Sequence, residues 1–264
     1  MANPNQLEID LATHVQQLLF PKSSPVCNWC CIGYKNRMAR GLGGDFFDFI
    51  TMPDDCQAIF IGDVTGHGLH ASVVMSLLYG FIHRSARAGC APLATVREVN
   101  NFLQSFAIRS REFDHYFSAT LFFGIINPET LEMHYVNAGH PAPLVRRGDT
   151  IFSLPTTAPP VGFFDDPKIG LQSFQFVKMD RFLLYTDGVS DATNNRGEPF
   201  GLERLQQVLQ QNGDDHLEFL EQIFNALQRF GTDDPPVDDC TAIVLDFHSF
   251  WQESRRGEEN EEAG

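Results

Sequence analysis

The stretch AIFIGDVTGHGLHA, residues 58–71, decides how the chain is read. Its first five residues form an apolar run bounded by a turn signal and rich in isoleucine and phenylalanine, which predicts a buried strand. Asp63 ends that run. Gly66 and Gly68 then allow the backbone to bend sharply, and ASVVMSLLYGFIHRSARA, residues 71–88, continues as a long apolar helix. A strand that hands a carboxylate to a glycine-rich turn and then to a helix offers backbone carbonyls and amides beside that carboxylate, as a metal or phosphate site requires. Taken alone, the same stretch is equally a turn with a helix cap.

Three further segments repeat the device. GGDFFD, residues 43–48, carries Asp45 and Asp48; YTDGVSD, residues 185–191, carries Asp187 and Asp191; DDCTAIVL, residues 238–245, opens with Asp238 and Asp239. Carboxylates delivered to loop ends by separate apolar strands suit a hard divalent cation such as Mg²⁺ or Mn²⁺, which takes oxygen ligands and keeps several waters. For the Asp238–Asp239 pair, an exposed charged loop is the plain alternative.

Apolar periodicity fills in the rest. Short runs at residues 26–34, 46–51 and 57–62 predict strands, and a second helix follows Pro92 with Val96, Val99, Leu103 and Phe106 on one face. Runs at 116–126, 131–137, 143–146 and 150–154 predict an antiparallel meander. RFLLYT, residues 181–186, and residues 241–247 predict two more strands, separated by helices over 202–211 and 216–230. Strands, a helix pair, strands and a second helix pair imply an α+β fold of two sheets with helices on their outer faces.

Composition limits the partners. The chain has 264 residues and a formal charge of −15, which argues against nucleic acid, whose phosphates are bound by clustered Lys and Arg. No apolar run reaches the ~20 residues of a membrane span, and the N-terminus has no secretory leader, so the expected location is the cytoplasm. The six cysteines do not form a disulfide framework, and the CxxC of Cys27 and Cys30 lacks the second ligand pair that zinc requires. LEIDLATHVQQLLFP, residues 7–21, is an amphipathic helix with Leu7, Leu11, Val15, Leu18 and Leu19 on one stripe, stopped by Pro21. That stripe either docks on the core or pairs with a second chain. The expected organisation is this helix over 1–21, one domain over 22–250, and an acidic disordered tail over 251–264.

GGDFFD, GDVTGHGLHA, NAGHPAP (residues 137–143), TDGVSDA and DDCT, in this order, resemble the motifs of the metal-dependent protein Ser/Thr phosphatases of the PPM superfamily, in its bacterial SpoIIE-like branch. The resemblance implies an α-β-β-α sandwich with two Mn²⁺ or Mg²⁺ ions at one end. It implies that Asp63 bridges both ions, that the Val64 carbonyl helps hold one, and that Asp187 and Asp238 hold the other. Asp239 is the alternative to Asp238, Asp45 acts indirectly by orienting water, and Asp191 lies where relatives place an accessory ligand for a third ion. Asp48 is left as scaffold. The implied reaction is hydrolysis of phosphoserine or phosphothreonine by water that the two cations activate for in-line attack. The implied substrate is a phosphorylated STAS-type anti-sigma-factor antagonist in a partner-switching pathway.

Where relatives often carry a sensor domain before such a helix, this chain begins at the helix, which predicts either regulation by a separate partner or constitutive activity; in those relatives the helix can regulate the active site through dimer pairing. Two features depart from the eukaryotic branch. His67 lies four residues beyond Asp63, away from that branch's general acid, and the upstream cations Lys35, Arg37 and Arg40 match no fixed phosphate-gripping position. His140 in NAGHPAP is expected to be structural. Two other readings remain: a non-catalytic phosphoprotein-binding module of the same fold, and a nucleotide cyclase suggested by the likeness of GGDFF to a GGDEF loop.

Overall fold

The computed structural model describes residues 4–25, 27–39, 41–52, 55–86, 91–109, 117–211 and 215–248. Helix α1 (Pro4–Gln17) precedes strands β1 (Cys30–Arg37), β2 (Asp45–Thr51) and β3 (Gln57–Val64), followed by α2 (Leu69–Ala86) and α3 (Pro92–Arg109). Strands β4 (Ala119–Ile126), β5 (Glu132–Ala138), β6 (Leu144–Arg147), β7 (Thr150–Ser153), β8 (Gln172–Gln175) and β9 (Arg181–Tyr185) come next. Helices α4 (Asp187–Ser190), α5 (Gly201–Gln210) and α6 (His216–Phe230) then lead to the last strand, β10 (Cys240–Phe247).

The strands form two antiparallel five-stranded sheets, ordered β2-β3-β4-β5-β8 and β1-β10-β9-β6-β7. Helices α2 and α3 pack on the first sheet, and α6 packs on β1 and β10 of the second. The result is an α-β-β-α sandwich. Its layers follow from strand periodicity, because alternate side chains of one strand face opposite sides of its sheet. In β3, Ala58, Phe60 and Val64 pack toward α2 and α3, while Ile59 and Ile61 enter the layer between the sheets. In β10, Ala242 and Val244 pack under α5 and α6, while Ile243, Leu245 and Phe247 face Phe47, Ile61 and Phe122 across the same inter-sheet layer. Each such valine, leucine, isoleucine or phenylalanine side chain removed from water contributes about 2 kcal/mol, so these cores set the register of the sheets.

The structure corrects three sequence expectations. The meander divides: β4 and β5 belong to the first sheet, whereas β6 pairs with β9 in the second. The crossover falls at NAGHPAP, where Gly139 has φ +69° and a Cβ would lie 2.6 Å from the Pro160 ring, so the chain turns out of the sheet there. Strand β1 starts at Cys30 and runs to Arg37, because its register is set by pairing Cys30 with Phe247 and Arg37 with Cys240; Val26 lies outside the described residues. Strand β8, QSFQ, escaped the sequence reading because it is a polar edge strand with little burial to mark it.

Helix α1 also differs from simple docking. Leu7, Leu11, Val15 and Leu18 are 53–59% exposed, while Leu19 and Phe20 pack inward. The stripe is left facing outward. Among the described residues no helix is long and apolar enough to cross a membrane, and the expected tail over 251–264 lies outside the described residues.

Candidate metal centre

At one end of the sandwich the inter-sheet layer changes from apolar to acidic, and it does so by the same alternation that built the core. Phe47 and Ile61 face inward, and two residues along their strands stand Asp45 and Asp63, directly opposite each other in the β2–β3 ladder. From the other sheet, Thr186 and Thr241 continue the inward faces of β9 and β10.

These threonines lock Asp45. Its Oδ2 accepts from Thr186 Oγ1 at 2.9 Å and from Thr241 Oγ1, while Asn36 Nδ2 donates to Thr241 Oγ1 at 2.7 Å and the Thr241 amide donates to Thr186 Oγ1 at 3.0 Å. A carboxylate bridging two sheets in this way is a fixed part of the floor.

Asp63 stands beside it at the end of β3, where the backbone turns through Gly66 (φ +93°) and Gly68 (φ +77°) into α2. No atom lies within 4 Å of a Cβ built at either glycine, so backbone conformation rather than space requires glycine there. Gly44 is different. A Cβ on Gly44 would sit 2.6 Å from Asp63 Oδ1 and 2.9 Å from the Val64 carbonyl oxygen. Its own carbonyl accepts from the Val64 amide at 3.3 Å. Gly44 thus lets the first sheet hold a carboxylate and a main-chain carbonyl in one small space.

Asp187 begins the one-turn helix α4, and the Asp191 amide closes that turn on the Asp187 carbonyl at 2.7 Å. The two neighbours Asp238 and Asp239 have separate surroundings. Asp239 is buried, with Oδ1 accepting from the Ala39 amide at 2.8 Å and Oδ2 from the Gly44 amide at 3.0 Å. Asp238 accepts the Asp239 amide on Oδ1 at 2.9 Å and otherwise faces open space. It lines a cavity of about 440 Å³ together with Asp63, Thr65, Gly66, His67, Thr120 and Asp187. A second cavity, of about 290 Å³, meets the first at Asp187 and Asp238 and extends past Arg37 and Asp191.

The electrostatics are those of uncompensated anions. Asp63 is pushed up to about 8 by burial and by the nearby charges of Asp187, Asp238 and Asp239. Burial, then Asp63 and Asp239, also raise Asp45, and burial followed by Asp238 and Asp191 raises Asp187. Burial raises Asp239 too, against the amides that hold its oxygens. Converging carboxylates that push each other toward protonation are a donor set for divalent cations, whose charge reverses the repulsion. Among the described residues, no three His, Cys, Asp or Glu side chains close around one point as a finished cage. That openness suits Mg²⁺ or Mn²⁺, which bind through one or two carboxylates each and retain water. The residues fit the ions.

Other sequence candidates fall outside this set. Asp48 faces the opposite side of β2, where the Tyr79 hydroxyl and His83 Nε2, the latter at 2.8 Å, tie α2 to its Oδ2. His140 is buried against Thr120, its Nδ1 at 3.0 Å from Thr120 Oγ1, and burial drives it down to about 3, so it is a neutral framework residue. His67 is an exposed residue on the cavity wall. Of the upstream cations, Lys35 pairs with Glu221, Arg37 lies over the Phe224 ring on the wall of the second cavity, and Arg40 lies outside the described residues. Thr186, Thr241 and Asn36 were missed by sequence reading, although the first two sit inside the TDG and DDCT motifs. Threonine on a strand signals only β-propensity until its cross-sheet partner is known.

Two antiparallel sheets between helix pairs, with carboxylates converging at one open end, define the PPM-type sandwich. The family model of Stage II sporulation protein E (SpoIIE) matches residues 53–248, and the chain belongs to that family. It is 28% identical over 263 residues to Protein IcfG of Synechocystis sp., covering 91% of this chain and 42% of that protein. It is 32% identical over 153 residues to the phosphoserine phosphatase RsbP of Bacillus subtilis, covering 58% of this chain and 38% of that one. The chain therefore spans about two fifths of the length of these two relatives. Among solved structures, the RsbU and RsbW domains of Rv1364c from Mycobacterium tuberculosis superpose with a TM-score of 0.70 at 25% identity, covering 85% of this chain and 61% of that one.

Proposed function

We propose that the chain is a metal-dependent protein serine/threonine phosphatase that removes phosphate from phosphoserine or phosphothreonine. The observation that carries this reading is the convergence of Asp63, Asp187 and Asp238 on one cavity, with Asp45 locked behind them by Thr186 and Thr241. Asp63 and the Val64 carbonyl, with Asp187 and Asp238, would hold two Mn²⁺ or Mg²⁺ ions, and Asp191 would serve a third. When bound, such ions supply an activated water and neutralise phosphoryl oxygens.

The protein's own residues do the remainder. Asp45, held rigidly at the floor, accepts a hydrogen bond from water beside Asp63 and fixes its orientation. Arg37 offers a guanidinium on the wall of the adjoining cavity for the phosphate oxygens or the acidic flank of a phosphopeptide. Asp239 serves the site indirectly by holding Gly44 and Ala39 in place.

Membership of the SpoIIE family and similarity to a phosphoserine phosphatase support a phosphoprotein substrate, and we assign it to the STAS-type anti-sigma-factor antagonists of partner-switching pathways. The outward stripe of α1 supports pairing with a second copy or with a regulatory protein; the high acidic charge supports neither nucleic acid nor an anionic surface as partner. The non-catalytic alternative gains no support, because every acidic position of the motif set is occupied.

The test is release of phosphate from a phosphoserine STAS protein with Mn²⁺, comparing the native chain with Asp63→Asn and Asp187→Asn. Each substitution is expected to lower kcat by about a thousandfold. Undiminished turnover in both variants would exclude this centre as the catalytic one, and Mn²⁺ binding without turnover in the native chain would favour a binding module.

A further inference from the structure

Cys27 and Cys30 bracket the bend at Asn28 and Trp29 through which the chain enters β1. The bend brings their side chains together, and the Cys30 thiol donates a hydrogen bond to the Cys27 sulfur. The sheet holds one side of this turn. Cys30 pairs with Phe247 at the end of the β1–β10 ladder, the Trp29 carbonyl accepts from the His248 amide at 3.1 Å, and the Trp29 and Phe247 rings lie 5.8 Å apart.

The two thiols have unequal surroundings. Cys30 is 2% exposed within the inter-sheet layer, whereas Cys27 is half-buried and packs on that layer. The hydrogen bond from Cys30 pulls Cys27 below the ordinary thiol value despite burial, while burial and then that same bond hold Cys30 far above it. The more accessible sulfur is therefore the better thiolate, and the thiolate is the nucleophile. Cys31 follows on the other face of β1, by the alternation of a strand, and is raised by burial and by Asp246; Cys240 is pushed up to about 12 by burial. A zinc role for the CxxC lacks a second ligand pair, and a bridge across so short a loop constrains the unfolded chain least. Reversible chemistry between the two sulfurs is what this arrangement suits.

We propose that Cys27 and Cys30 form a redox-active dithiol, an oxidation site at the end of β1 opposite to Arg37, which pairs with Cys240 beside the acidic centre. The Cys27 thiolate attacks an oxygen of a peroxide, the O–O bond breaks, and hydroxide leaves as Cys27 becomes a sulfenic acid. The Cys30 sulfur then displaces that sulfenic oxygen, which departs as water with the Cys30 proton, and the S–S bond forms. The dithiol loses two electrons and the peroxide gains them. A small dithiol reverses the change by exchange and is itself oxidised to a disulfide.

The experiment treats the full chain, its thiols reduced, with hydrogen peroxide; free thiols are then alkylated and the modified residues located by peptide mass spectrometry. A Cys27–Cys30 bridge is expected, formed about tenfold faster in the folded chain than in guanidinium chloride, and dithiothreitol is expected to restore both thiols. Cys30→Ser is expected to stop at a Cys27 sulfenic acid that dimedone captures, Cys27→Ser to leave Cys30 unoxidised, and Cys31→Ser to form the same bridge as the native chain. Circular dichroism checks that each variant folds, and the map of the native chain decides the matter where one does not. A bridge to another cysteine, sulfenic acid arising first elsewhere, or oxidation no faster in the folded chain would overturn the proposal. These readouts need neither Mn²⁺ nor phosphatase activity, so their outcome is independent of the function proposed above.

Discussion

At the scale of single residues, the neighbours Asp238 and Asp239 show how one sequence motif divides its work. Asp239 has both oxygens engaged by main-chain amides in a buried position, so Asp239→Asn places an NH₂ group against an amide donor. A lost buried bond of this kind costs about 1–3 kcal/mol, and Asp239→Asn is expected to lower the thermal midpoint in metal-free protein. Asp238 lies at the cavity and is held by a single local bond. Asp238→Asn removes a charge that pushes on Asp63 and Asp187, so it is expected to raise the metal-free midpoint and to weaken Mn²⁺ binding; calorimetry and thermal melts on the pair would reveal the opposite assignment if the two patterns were exchanged. Gly44→Ala tests the close approach of the loop before β2 to the end of β3. Its added methyl meets Asp63 Oδ1 and the Val64 carbonyl at under 3 Å, so it is expected to destabilise the protein by about 1–3 kcal/mol and to reduce Mn²⁺ affinity with it.

At the scale of elements, α1 is the one whose sequence pattern and position disagree most. The stripe of Leu7, Leu11, Val15 and Leu18 is spaced for a helical interface, yet this face is turned away from the domain. Four exposed branched side chains on consecutive turns are a surface that a second helix would remove from water. Light scattering on the full chain is expected to give twice the chain mass, and Leu11→Glu with Val15→Glu is expected to return it to the monomer. A monomeric native chain would assign the stripe to a different protein. The β5–β6 connection makes the complementary point. Residues 131–147 look like continuous hairpins in sequence, but Gly139 packs against Pro160 and directs the chain to the other sheet. A turn motif marks where the chain bends, and only the available edge, here β9, decides where it goes.

At the scale of the whole molecule, the acidic end makes stability depend on pH in a direction opposite to that of most carboxylates. Asp63 takes up its proton near pH 8 when folded and near pH 4 when unfolded. Across that window the folded state binds more protons than the unfolded state, so the metal-free protein loses stability as pH rises toward 8. Asp45, Asp187 and Asp239 are raised by the same burial and add in the same sense. Cation binding reverses the trend, because its ligands must be deprotonated and its contribution grows with pH. Melting curves from pH 5 to 8 are expected to fall in chelator and to flatten or rise with Mn²⁺; a midpoint in chelator that rises with pH would contradict the burial of these carboxylates.

The sequence by itself determined the class of fold, most of its elements, and which aspartates matter as candidates. These are consequences of local pattern: strands alternate, helices repeat at 3.6 residues, and an aspartate beside glycine marks a strand end. AIFIGDVTGHG and YTDGVSD carry that information within a few residues each. Only the tertiary structure decided which carboxylates are engaged and which face the cavity, that Thr186 and Thr241 reach across to Asp45, and that Gln16 reaches Gly43 from 27 positions away. Those choices depend on the register of strands distant in sequence, with β1 paired to β10 and Asp45 facing threonines of the other sheet. Nothing local encodes them. The packing of the apolar layer between the sheets fixes which inward faces meet, and the polar residues at its end take the positions that packing leaves them.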